Sequence, residues 1–221
     1  MTESRLLRLG PSAAAKEKRL AALLDGRDPA DLGLAEAVRE AQVAGSLELA
    51  GEPPSAAPGL RRAVAAVDPA APVTVDALMA WHRALGLEPG YRMSARSRGT
   101  GPAPAPPEFI TSRLAILEQW LSVESSRELK PAPAAALAMA RILEIVPFER
   151  GNGRVARLAA SHLMVRAGAR PPILAGADGP RIAVCLEAAF QLATEPLTSL
   201  LEEASERALD VMIQALGARP A

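Results

Sequence analysis

The chain has 221 residues, of which 49% are apolar and only 3% aromatic, with 25 basic and 25 acidic side chains and no net charge. That length and apolar content suit one globular domain, and an alanine- and leucine-rich chain with few aromatics favours close-packed helices over a sheet. Balanced charge excludes a compositional case for nucleic-acid binding, and one cysteine, Cys185, excludes an internal disulfide framework or a cysteine-rich metal site.

In chain order, the N-terminus Met1-Thr2-Glu3-Ser4-Arg5 is not a leader, and no apolar run approaches membrane-spanning length, so a cytoplasmic protein without membrane contact is expected. Apolar periodicity predicts a first amphipathic helix over 12–25, with Ser12 as N-cap and Leu20, Leu23 and Leu24 inward. A second is predicted from Asp31 or Leu32 to Val43, with Leu34, Ala37, Val38 and Ala41 inward, leading into Ala44-Gly45-Ser46-Leu47-Glu48-Leu49-Ala50-Gly51-Glu52. Clustered proline and glycine make 53–59 a loop. A short helix over 60–67 follows, and Thr74 then caps a helix over 75–85 whose inner face carries Leu78, Trp81, His82 and Leu85. A lone histidine on an apolar face is read as a core residue.

After Gly90-Tyr91-Arg92, the run Met93 to Pro102 lacks alternating β-branched residues, so any hairpin there is expected to be irregular. Proline-rich residues 102–107 lead into an amphipathic helix through Ile110, Leu114, Leu117, Trp120 and Leu121. Residues 134–145 contain no glycine or proline and place Leu137, Ala138, Ala140, Arg141, Ile142 and Ile145 at buried-helix spacing, until Pro147, which has no amide to donate. Val155, Leu158, Ala159, His162, Leu163 and Arg166 define the next helix, starting at Asn152 or Gly153. Beyond a loop over 167–180 come a helix over 181–193 and a long last helix after Pro196. Its stripe from Leu197 to Ala215 fits the core or a seam between copies in an oligomer.

The chemistry converges on Val146-Pro147-Phe148-Glu149-Arg150-Gly151-Asn152-Gly153-Arg154-Val155-Ala156-Arg157. A Gly-Asn-Gly corner at a helix N-terminus offers unsatisfied amides and the positive end of the macrodipole, and two glycines allow close approach of an anion. Arg154 and Arg157, three apart, add fork-shaped donors suited to phosphate oxygens. On spacing alone, a simple helix-loop-helix corner with two solvated arginines fits as well.

At these residues the chain resembles the Fic (filamentation induced by cAMP) family, whose signature runs His-x-Phe-x-(Asp or Glu)-Gly-Asn-(Gly or Lys)-Arg-x-x-Arg. Phe148, Gly151, Asn152, Gly153, Arg154 and Arg157 match. The resemblance, over roughly 31–190, implies an all-α helical bundle with a short, irregular flap hairpin. It implies two regions in one compact unit: N-terminal helices to residue 60 and a core over 61–221. The family activity is transfer of a nucleoside monophosphate, most often AMP from ATP, to a protein hydroxyl. By resemblance, the corner and Arg154 hold nucleotide phosphates and Arg157 reaches the terminal one.

Two signature positions differ. The histidine that acts as general base is Val146, which accepts no proton, and general-base work typically contributes about 10²–10⁴-fold in rate. The acidic magnesium ligand is Arg150, a cation. Neighbouring Glu149 as substitute ligand and His162 as substitute base are the weaker readings. Tyr91, Arg92, Arg96 and Arg98 fall on the flap by resemblance, where a target protein segment would add. Ser46 and Gly51 fit the family's upstream inhibitory motif, but Ala50 stands where its glutamate would pair with Arg157.

The expected function is therefore binding of a nucleotide, phosphate or other anionic small molecule by Phe148, Arg150, Gly151, Asn152, Gly153, Arg154 and Arg157. No cofactor is required and no magnesium is expected, with Arg150 supplying charge instead; standard AMP transfer is expected to be absent. Altered, metal-independent chemistry and a protein-interaction module are the alternatives.

Overall fold

The computed structural model describes residues 11–97, 103–122 and 130–217, and among these there are nine α-helices and no strand. They are α1 (Pro11–Leu24), α2 (Leu34–Ala50), α3 (Ala57–Ala65), α4 (Val75–Ala84), α5 (Ile110–Ser122), α6 (Pro131–Ile145), α7 (Asn152–Arg166), α8 (Gly179–Phe190) and α9 (Glu195–Gly217). Short 3-10 turns at Pro54–Ala56, Pro107–Phe109 and Gly176–Asp178 lead into α3, α5 and α8. The all-α class follows from the composition, because small apolar side chains let helix axes approach closely.

The antiparallel pair α6 and α7 is the most extensively packed in the molecule, and it presents the corner at residues 146–151. Alanines make this close approach: Ala135, Ala136, Ala138, Ala140, Ala156, Ala159 and Ala160 are all buried between the two helices and their neighbours. Leu137 and Arg141, placed inward by periodicity, are only half-buried, and Arg141 pairs with Glu144 one turn on. Helices α4, α5, α8 and α9 close the main core around this pair.

A second, smaller core joins α1, the first half of α2 and the last half of α9 through Leu20, Leu34, Val38, Ile173, Leu209 and Met212. The stripe on α9 is thus buried within the chain over much of its length, from Leu197 to Leu216.

The sequence pattern places α2 too short. The helix runs through Ala44-Gly45-Ser46 to Ala50 and ends on Gly51, whose left-handed φ of 61° closes the last turn. Gly45 is there for close packing, not as a terminator: a Cβ on it would lie 2.0 Å from the Leu174 carbonyl oxygen. This extension brings Ser46 to the side of α7. No helix is long and apolar enough to cross a membrane among the described residues.

Candidate functional site

The corner begins where α6 stops. Val146 caps that helix at φ 51°, ψ 63°, a left-handed conformation that crowds a β-branched side chain against its own backbone. Its side chain offers no proton acceptor.

Phe148, expected among the ligand-binding residues, is instead a fully buried wedge. Its ring stacks on His82 at 3.9 Å between centroids and 11° between planes, with Tyr91 tilted alongside at 6.1 Å. Asn152 holds both ends of the same residue: the Phe148 amide donates to Oδ1 at 2.9 Å, and Nδ2 donates to the Phe148 carbonyl at 2.8 Å. Gly151 adopts φ 82°, so the corner favours glycine for its conformation, and a Cβ there would meet the tip of the Leu87 side chain at 2.5 Å.

His82 donates from Nε2 to the Arg150 carbonyl at 3.0 Å, which leaves Nδ1 as a buried lone pair without a partner. Burial, assisted by the nearby Arg154 charge, holds this imidazole below its ordinary pKa, so it positions the corner as a neutral ring. His162 is likewise structural: Nε2 donates to the Ala71 carbonyl at 2.9 Å and the ring packs on Trp81. Neither histidine faces the corner as a base.

The candidate anion face is built on α7, whose N-terminus no side chain caps. Arg154 is almost fully buried at 4% exposure, and its side chain pairs with Glu52 at 2.9 Å. Arg157 donates Nε to Ser46 Oγ and NH2 to the Ser46 carbonyl, both at 3.0 Å, while NH1 lies on the Gly153 side. Desolvation, and secondly the charge on Arg154, push the Arg157 guanidinium down to about 10, which leaves it charged at neutral pH. Arg150 extends into solvent with 73% of its side chain exposed, and its nearest carboxylate oxygen, on Glu52, is 3.9 Å away.

Glu52 is the site residue that motif reading missed. The expected position for an internal carboxylate, Ala50, is exposed on the end of α2. The chain turns at Gly51, and the acid that directly follows it reaches Arg154 instead of Arg157. Its place in sequence, immediately after a helix-ending glycine, was the available clue.

The flap arginines divide. Arg92, expected on the flap, is 1% exposed and donates to four carbonyls: Val146 at 2.6 Å, Ser94 at 2.7 Å, Ile145 at 3.2 Å and Ala105. It holds the C-terminal carbonyls of α6 and is unavailable to an anion. Arg96 is exposed and pairs with the Glu149 carboxylate and carbonyl. In place of a hairpin ladder, residues 92–96 are tied to 145–149 by these two side chains, by the Ser94 hydroxyl donating to the Glu149 carboxylate at 3.1 Å, and by the Arg92 amide donating to the Pro147 carbonyl at 2.9 Å. Tyr91 is half-buried, and Arg98 lies outside the described residues.

Magnesium does not fit this donor set. The signature position for its ligand is the Arg150 cation, Glu149 is held outward by Arg96 and Ser94, and Glu52 is paired with Arg154. A divalent ion needs free carboxylate or phosphate oxygens, and each nearby carboxylate already has a cationic partner.

Residues 72–164 match the family model described as Fic/DOC family. A protein adenylyltransferase fic-1 of Caenorhabditis briggsae is 39% identical over 71 residues, 32% of this chain and 14% of the relative. The protein adenylyltransferase Fic of Drosophila grimshawi is 31% identical over 120 residues, 54% of this chain and 25% of the relative. The chain thus aligns with a quarter or less of the length of these relatives. A Fic domain-containing signaling protein from Bacteroides thetaiotaomicron shares the fold at a TM-score of 0.73 and 20% identity, covering 95% of this chain and 99% of that one. The family match falls on the helices and corner described above, so residues 72–164 are similar to the Fic/DOC family and the chain shares the fold of a Fic domain-containing protein.

Proposed function

We propose that the protein binds a phosphate-bearing small molecule, a nucleotide by family likeness, at the corner ahead of α7, and that it lacks standard AMP transfer. The observation that carries this reading is the pairing of a retained cradle with an altered reaction centre. The uncapped N-terminus of α7, Arg154 and Arg157 are in place, while Val146 stands where the base would be. Amides and guanidinium groups bind an anion without proton transfer, whereas activation of a protein hydroxyl needs an acceptor within hydrogen-bond reach. The buried neutral histidines support the same reading, since both are committed to backbone carbonyls.

The curated relatives are named as protein adenylyltransferases, so AMP transfer is the competing activity. Incubation with ATP labelled at the α-phosphate, magnesium and cell extract is expected to label no protein above background. Labelling that is lost in Asn152→Ala, which unlocks the corner, would overturn the proposal.

A further inference from the structure

Between α2, α3 and α7 lies a cavity of about 30 Å³ with Ser46, Arg154, Arg157 and Ser161 on its polar side and Leu60 and Leu174 among its apolar walls. A space of ~30 Å³ has room for a guest the size of a water molecule or a halide ion.

Its polar wall is rich in donors. Gln42 Nε2 donates to Ser161 Oγ at 3.0 Å and faces the Pro172 carbonyl at 3.4 Å. Ser161 Oγ therefore accepts, which leaves its hydroxyl hydrogen to be donated. Ser46 Oγ accepts from Arg157 Nε in the same way. Both serines are more than nine-tenths buried. Arg157 brings a full charge, and among the described residues it has no carboxylate partner, because Glu52 pairs with Arg154. A desolvated guanidinium bonded only to neutral oxygens lacks a counter-ion, which is costly in a low-dielectric setting.

The geometry points to a halide site, filled by a single chloride-sized anion between α2 and α7. Two hydroxyl donors, one guanidinium charge and apolar walls suit a spherical anion that accepts from several directions and donates to none. The site adjoins the phosphate cradle and shares Arg154 and Arg157 with it, but its two hydroxyl donors, Ser46 and Ser161, lie on the α2 side, where Arg157 turns Nε and Nη2 towards Ser46. A halide there ties the inner face of α2 to the signature helix, and the inference does not rest on nucleotide binding.

The test is thermal unfolding of the whole chain, without nucleotide, at constant ionic strength as potassium gluconate is exchanged for potassium chloride or bromide. A saturable rise in Tm of about 2–5 °C is expected once halide is in tenfold excess over its dissociation constant. Ser161→Ala removes one donor without altering Arg157, and is expected to cut the halide response at least severalfold. In crystals grown with bromide, an anomalous peak is expected beside Arg157 and Ser161. Equal Tm values for wild type in chloride and gluconate, an undiminished response in Ser161→Ala, or a water alone in the cavity with bromide present would each overturn the proposal.

Discussion

At the scale of single residues, the proposed anion site makes Glu52 a competitor of any external anion for Arg154. Its carboxylate lies 2.9 Å from Arg154 in a poorly solvated place, so an incoming phosphate must compete with it. Glu52→Gln is expected to tighten binding of a phosphate ligand by about 5–30-fold, the equivalent of one charge-assisted contact of ~1–2 kcal/mol. Titration calorimetry on the two proteins measures this, and equal affinities would mean that Glu52 moves aside freely. Arg150, by contrast, is mostly exposed, and its charge is screened. Arg150→Ala should therefore weaken binding less than Arg154→Ala. Val146 gives a separate test of local strain. Val146→Gly removes the β-branched side chain from φ 51° and is expected to raise stability by roughly 1 kcal/mol, read as a Tm increase. A fall in Tm would show that the packing of Val146 outweighs its backbone strain.

At the scale of elements, the helices follow from local pattern, while their ends and junctions depend on partners distant in sequence. Thr74 caps α4 as expected, with its side chain accepting from the Ala77 amide, because capping chemistry is local. The extent of α2 was not legible, since Gly45 looks like a terminator until Leu174 is known to pass beside it. Gly45→Ala is expected to destabilise by about 2 kcal/mol or more, because backbone has to move to admit the methyl. The anchoring role of Arg92 was not legible for the same reason: nothing in a Gly-Tyr-Arg triplet says that its guanidinium will gather the carbonyls at the end of α6. The junction histidines add a pH dependence. The chain has only two, and burial holds both below their ordinary pKa in the folded state. The unfolded chain therefore takes up protons near pH 6.5 that the folded chain refuses, so stability is complete above that pH and declines below it. Tm should fall between pH 7.5 and 5.5, and His82→Gln, which can keep a donor to the Arg150 carbonyl, should make the fall shallower.

For the whole molecule, the family and its corner were legible because the Gly-Asn-Gly-Arg-x-x-Arg run encodes backbone geometry that few other residues could supply, as Gly151 illustrates. Which carboxylate meets which arginine was not, since this depends on how the end of α2 turns back over α7. The result is a Fic/DOC fold whose cradle is cationic, already in contact with an internal acid, and lacking free carboxylates for a metal. The central claim of the proposed function is binding of an anionic phosphate ligand without magnesium. The most direct measurement is a calorimetric titration of ATP into the protein in chelator, and again in magnesium, at low and high salt. Binding is predicted in chelator, weakening as salt rises and gaining nothing from magnesium. No binding in chelator, with binding restored by magnesium, would contradict the account.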